Sequence, residues 1–261
     1  MDLPVAATLS PSRLSRFVTC PRSFKYSYID KLAQPATIYQ LRGTLVHRAL
    51  QLLFGYERSD RTLETAHEAL DVAWSELASS SDAEALGLTE IAGERFARDG
   101  HRLIEKYFRL EDPSRVSTVG IELHLRAKLG DIELRGIIDR LDRCDDGRFV
   151  LTDYKTGRSP RPDRTRSRLA GVLFYAYLCE AVIGVRPSEV RLVYLADETV
   201  IVEEPTDQAM RGLTQRARAV WLAIERACET GDFRPSPSPL CKSCSFQGIC
   251  PAYGGEVAIA V

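Results

Sequence analysis

At Pro113 the hydrophobic period of the chain changes from that of a helix to two. VSTVGIELHLRAKL, DIELRGIIDRLDRC and GRFVLTDYKTG follow one another, separated by Gly130-Asp131 and by Asp145-Asp146-Gly147. Alternating apolar and polar residues between short turn signals predict an antiparallel three-strand meander. The residues before and after it read differently. Ser10-Pro11 looks like a helix start, with Ser10 as N-cap and Pro11 in the first helical position, and that helix ends near Cys20-Pro21. Further helices are expected over Phe24 to Asp30 and Gln40 to Phe54, the latter with Leu41, Leu45, Ala49, Leu52 and Leu53 at helical spacing. From Thr62 to Leu110 the pattern is helical and charge-laced, broken around Ser79 to Gly87, and reads as a helical insertion. His67 and His101 fall there, in no recognisable cluster, and are read as surface or interhelical histidines. After the third strand come an arginine-rich stretch, a helix from Leu169 to Val182, the strand-like runs EVRLVYLA and ETVIVEE, and a long helix from about Asp207 to Glu229. The expected class is mixed α/β, in four segments: N-terminal helices over 1–60, a helical insertion over 61–112, a core over 113–235 and a cysteine-bearing segment over 236–261.

A length of 261 residues with 44% hydrophobic and 27% charged content suits a globular protein with a proper core. No apolar run approaches the ~18 residues that would span a bilayer, and MDLPVAATLSPSR lacks the basic-then-apolar order of a signal peptide. A cytoplasmic location is the expectation, and seven cysteines there read better as ligands or buried thiols than as disulfides. The net charge of −1 hides an uneven distribution. Arg13, Arg16, Arg22, Lys25, Lys31, Arg42 and Arg48 crowd the first 48 residues, and Arg158, Arg161, Arg164, Arg166 and Arg168 follow the third strand against Asp163 alone. Such local basic stretches are what phosphate backbones feel, although a solvated arginine-rich loop has the same composition.

Asp153 and Lys155 lie two apart on one strand and project from the same face. Asp139, on the preceding strand, can come alongside Asp153, and two converging carboxylates repel unless a cation lies between them. Mg²⁺ or Mn²⁺ there would polarise a phosphodiester, with Lys155 stabilising the charge that develops. An isolated D-x-K is a common triplet and more often a surface ion pair, so the argument rests on the ensemble.

GIIDRLD and GRFVLTDYKTG, preceded by RGTLVHRAL, together resemble the RecB-family PD-(D/E)XK nucleases in order and spacing. The resemblance implies a restriction-endonuclease-like core with a mixed sheet. It implies metal binding by His47, Asp139, Asp153 and the backbone carbonyl of Tyr154, with Lys155 catalytic beside Asp139 and Asp153. It also implies a glutamine and a tyrosine on the next helix that contact DNA. Tyr175 is present, but Gly171 stands four residues ahead of it where the family usually has the glutamine.

Cys241, Cys244 and Cys250 form C-x2-C-x5-C before Pro251, and Cys20 stands alone before Pro21. Four cysteines suit either zinc or an iron–sulfur cluster. A distant cysteine plus a trio ending in Cys-Pro resembles the iron–sulfur nucleases of the same family, including the CRISPR-associated adaptation nuclease and helicase–nuclease subunits, which implies a [4Fe–4S] cluster joining the two ends. Cys144, Cys179 and Cys228 read as packing residues. The function implied is a metal-dependent DNA nuclease, an exonuclease on single-stranded DNA or DNA with a free end, in repair or recombination. The alternatives are a catalytically weak DNA-binding subunit of a helicase–nuclease assembly and a nuclease of CRISPR spacer acquisition. No G-x-x-x-x-G-K-[ST] occurs, so unwinding would come from a partner.

Overall fold

The computed structural model describes residues 8–255, with the side chains of residues 162–170 outside the described set. The chain divides into two compact units. One comprises Met1–Pro35, Arg126–Arg135 and Gln208–Val261, the other Ala36–Leu125 and Gly136–Asp207.

In the first unit, α1 (Pro11–Thr19) starts as its sequence dictates. The Ser10 side chain accepts the Arg13 N–H, Pro11 occupies the first turn, and Leu14 and Phe17 are buried. Cys20 closes α1 and opens α2 (Pro21–Phe24), which runs into a single π-helical turn, Lys25–Ile29. Leu9 pairs with the turn end of a hairpin: its N–H donates to the Glu133 carbonyl at 2.8 Å and its own carbonyl accepts from Arg135 at 2.9 Å. A long helix is followed by three 3₁₀ turns, Pro239–Ser243, Gln247–Ile249 and Pro251–Tyr253, that carry the cysteine trio. The Tyr26 hydroxyl donates to the Ile249 carbonyl at 3.1 Å, and its ring stands edge-on to Phe246 at 5.3 Å. These contacts tie the N-terminal helices to the C-terminal segment.

In the second unit, α3 (Ile38–Phe54) begins with a capping box between Thr37 and Gln40. Its buried residues Leu45, Leu50 and Leu53 share one core with Leu70 of α4 (Leu63–Ala78), with Phe96 and Ile104 of α6 (Glu90–Leu110), and with Tyr154, Val193 and Leu195. A short α5 (Ser81–Ala85) marks the expected break between α4 and α6. The residues read as an insertion therefore pack into the same core as the strands.

The sheet has the order β1-β2-β3-β4-β5: β1 Thr118–Leu129, β2 Ile132–Arg143, β3 Phe149–Lys155, β4 Glu189–Tyr194, β5 Thr199–Glu203. β2 and β3 are antiparallel, with Arg140 opposite Thr152. β3 and β4 are parallel, with Asp153 opposite Leu192, and α7 (Pro162–Ile183) makes the crossover that a parallel pair requires. β5 returns antiparallel to β4, and α8 (Asp207–Thr230) follows. The helix expected from Leu169 starts a full two turns earlier, because extended Arg161 caps it and Pro162, with its φ preset and no N–H to satisfy, fits the first turn. The arginine-rich stretch is largely helix. Among the described residues no helix is long and apolar enough to cross a membrane.

Candidate metal centre

Four elements of the second unit deliver the polar cluster. α3 presents His47, β1 presents Glu122, β2 presents Asp139, and β3 presents Asp153 and Lys155 on one face with Tyr154 on the other. His47 Nε2 lies 3.1 Å from the Tyr154 carbonyl, its Nδ1 3.5 Å from Asp139 Oδ2 and 4.0 Å from Glu122 Oε1. Ligand atoms of His47, Glu122 and Asp139 all lie within 4.8 Å of one another, and among the described residues this is the one group of three or more possible metal-ligand residues so placed. Asp139 Oδ2 also accepts the Tyr154 N–H at 2.7 Å, which fixes the register of the two acidic strands against each other. Asp153, 4% exposed, is paired with the half-exposed Lys155.

The electrostatics are those of a site short of positive charge. Burial pushes the Asp153 carboxyl above the usual carboxylate range, and the charge of Asp139 adds to it, against the pull of Lys155. Burial and Asp139 raise Glu122 likewise. For His47, burial favours the neutral ring, but hydrogen bonding and attraction to Asp139 outweigh it and the net shift is upward. Burial also works against the Lys155 ammonium, and Asp153 and Asp139 more than restore it. Two carboxylates and one imidazole converging, with the buried Asp153 carboxylate near enough to feel Asp139, are a hard, oxygen-rich donor set with a nitrogen, which fits Mg²⁺ or Mn²⁺.

Glu122 was absent from the sequence-predicted ligands. Its backbone stands in the left-handed region, φ 48°, inside a strand. A non-glycine residue held there costs of order 1–3 kcal/mol and is found where the surroundings demand it. The conformation coincides with a side chain aimed at His47 and Asp139.

Tyr175 of α7 lies close enough to feel the cluster: burial raises its phenol, and the charges of Asp153, Asp139 and Glu122 raise it further. Gly136, the glycine of GIID, permits this approach. A Cβ there would stand 2.9 Å from Tyr175 Cε1 and 2.8 Å from Leu178 Cδ1. Gly171, one helical turn before Tyr175, has open space where a side chain would begin. Arg158 is exposed in the loop after β3, and Arg161 is the exposed cap of α7. The side chains of Arg164, Arg166 and Arg168 lie outside the described residues. Part of the N-terminal basic stretch is engaged within the protein: Lys25 pairs with Asp30 at 2.6 Å and Arg48 with Glu76 at 2.8 Å.

One buried network holds β2 and β3 beneath the cluster. Arg140, 1% exposed, meets Glu111 at 2.6 and 2.8 Å and Asp142 at 2.9 Å, and donates to the hydroxyls of Tyr107 and Tyr154. Tyr154 is thereby anchored at its far end while its carbonyl faces His47.

In the first unit, the Ser238 N–H donates to Cys241 Sγ at 3.4 Å, and that hydrogen bond, with one from Tyr253, holds the thiol below its ordinary pKa. The Ser236 N–H donates to Cys20 Sγ at 3.5 Å. The cysteines are not within 4.8 Å of one another as a group of three.

A mixed sheet with a β3–α7–β4 crossover, and a lysine paired with the aspartate of a strand-borne D-Y-K, is the architecture of a nuclease core. The chain belongs to the PD-(D/E)XK nuclease superfamily, whose family model matches residues 8–251. No curated protein matches the sequence. Among solved structures, a protein of Eubacterium rectale described as a "Putative exonuclease" shares the fold, with TM-score 0.59, 12% identity, and coverage of 92% of this chain and 87% of that one. The crystal structure of SSO0001 aligns at TM-score 0.45 and 18% identity, covering 96% of this chain and 89% of that one.

Proposed function

We propose that this chain is a Mg²⁺- or Mn²⁺-dependent deoxyribonuclease that trims single-stranded DNA or DNA with a free end, in repair or recombination. The observation that carries the reading is the convergence of His47, Glu122 and Asp139, with buried Asp153 and its partner Lys155 beside them, on a core of the nuclease superfamily. His47, Glu122, Asp139, Asp153 and the Tyr154 carbonyl would hold the cation. It would supply Lewis acidity toward a phosphodiester and its attacking water. Lys155 then places an ammonium where charge develops on phosphate, while Asp153 keeps that ammonium aimed. Tyr175 and the arginines Arg158, Arg161, Arg164, Arg166 and Arg168 would receive the strand, their charges contacting the phosphate backbone.

Cys20, Cys241, Cys244 and Cys250 would hold a [4Fe–4S] cluster that staples the ends of the first unit. Cys20 and the trio lie in one compact unit, and backbone N–H groups point at two of the sulfurs, as thiolate ligands favour. A distant cysteine plus a trio ending in Cys-Pro supports a cluster over zinc, whose sites more often show two close pairs.

The test is cleavage of end-labelled single- and double-stranded DNA by anaerobically purified protein with Mg²⁺ or Mn²⁺. Ladder products from one labelled end of a single strand support the reading. Internal cutting of closed circles would replace it with an endonuclease, and binding without cutting would favour the DNA-binding subunit, a role for which Gly171 in place of the usual glutamine is the specific support.

A further inference from the structure

Outside the metal centre, the residues of the helical segment place two histidines tip to tip. His67 of α4 and His101 of α6 bring their Nδ1 atoms to 2.7 Å, and His101 Nε2 lies 3.0 Å from Asp71 Oδ1, one turn along α4 from His67. The approach is built into the packing. Cβ atoms added at Gly93 and Gly100 of α6 would meet Trp74 at 2.9 Å and Leu70 at 3.0 Å, so glycine at both positions brings α6 down onto α4. His101 follows Gly100 directly. The site is open to water: the His101 side chain is 25% exposed and that of Asp71 67%.

The contacts define a metal-competent tautomer. With Nε2–H donating to Asp71, a neutral His101 turns a bare Nδ1 lone pair toward His67. A carboxylate behind an imidazole is the arrangement that orients histidine ligands in metal sites and raises their basicity. His67 Nδ1 can fill the gap with a proton, or yield it to a cation. Around a tetrahedral ion with metal–nitrogen bonds of about 2.0–2.1 Å, the two nitrogens would stand roughly 3.3 Å apart. That is a small opening for two half-buried rings. Glu64, one turn before His67, adds a carboxylate within electrostatic reach.

We propose that His67 and His101 form a binding site for a borderline transition-metal cation, of which Zn²⁺ is the representative, clipping α4 to α6 with Asp71 as the orienting carboxylate and water completing the shell. Imidazole pairs select zinc, nickel or copper, whereas the oxygen-rich centre at His47 suits the hard cations. The two sites therefore separate by chemistry.

The chain has four histidines, so imidazole ¹⁵N resonances are resolvable on the full-length protein. Zn²⁺ is titrated into ¹⁵N-histidine-labelled protein held in excess Mg²⁺. The expected result is that the Nδ1 signals of His67 and His101 move together to metal-bound positions at a common zinc equivalent. His101→Gln removes one bound equivalent and returns His67 to its free position, without changing DNA cleavage in Mg²⁺. Asp71→Asn keeps the site but weakens it by about 10-fold, the usual loss for an orienting carboxylate. The proposal is overturned if both signals stay in place under a large zinc excess, if only one moves, or if His101→Gln leaves the zinc stoichiometry intact.

Discussion

Replacing Arg140 with methionine removes the guanidinium on which β2, β3 and α6 converge. That group is 1% exposed and serves two carboxylates and two phenols, with its central carbon 4.4 Å from the Phe54 ring centroid. Methionine fills most of the volume but returns no charge, so Asp142, 10% exposed, and Glu111, 22% exposed, are left without their counter-ion. Breaking a buried pair from one side costs about 3–5 kcal/mol. Glu111 can regain some water, which sets the expectation near the lower bound, about 3 kcal/mol. At a urea m-value near 3 kcal/mol/M, the midpoint should fall by about 1 M. The chain has two tryptophans, so Trp74 fluorescence in a Trp221→Phe background reports the second unit alone. Arg140→Lys should fall between, since it keeps the charge and loses the fork. Adding Glu111→Gln to Arg140→Met should recover part of the loss. A loss under about 1 kcal/mol, the size of an exposed pair, would refute the reasoning, as would strict additivity of the two substitutions.

The carboxylate cluster makes a pH prediction. Glu122, Asp153 and His47 all have raised pKa values in the folded state, so the stability they contribute is present at low pH and lost as pH rises through those values. Thermal unfolding in EDTA should therefore show the metal-free protein gaining stability as pH falls from neutral toward the carboxylate range. Glu122→Gln should shrink that gain while weakening Mn²⁺ binding; an unchanged pH profile would contradict it. Glu111 has the opposite sign: its pKa is lowered, burial notwithstanding, by Arg140, so its contribution disappears only once pH drops below the ordinary carboxylate value. Gly171→Gln enters open space in mid-helix and should stabilise by up to about 1 kcal/mol while raising the cleavage rate, both read on one purified variant. Gly136→Ala must push Tyr175 and Leu178 aside, at a cost of about 1–3 kcal/mol in urea unfolding, and should weaken DNA binding more than Mn²⁺ binding.

The strand-borne part of the centre was legible because sheet geometry is arithmetic. Period two puts Asp153 and Lys155 on one face, and hairpin pairing sets Asp139 against Asp153, as the observed register of β2 and β3 requires. The same arithmetic reaches Glu122: the turn at Gly130-Asp131 pairs 129 with 132, and counting back pairs 122 with 139. The left-handed backbone that aims Glu122, by contrast, leaves no mark in the letters. His47 needed the family pattern, since a lone histidine on a helix carries no signal of its own. The His67–His101 pair could not be seen, because its partners stand on two helices and meet only through glycine-mediated packing. The early start of α7 was marked by Pro162 but obscured by arginines, which are good helix formers that read as loop when charge alone is weighed.

The most direct test of the account loads wild type, Lys155→Ala and Asp139→Asn with Mn²⁺ and follows metal binding and DNA cleavage on the same samples. The account predicts that the wild type binds and cuts, that Lys155→Ala binds without cutting, and that Asp139→Asn does neither. Cleavage that survives Lys155→Ala, or a folded wild type that takes up no Mn²⁺ at this centre, would contradict it.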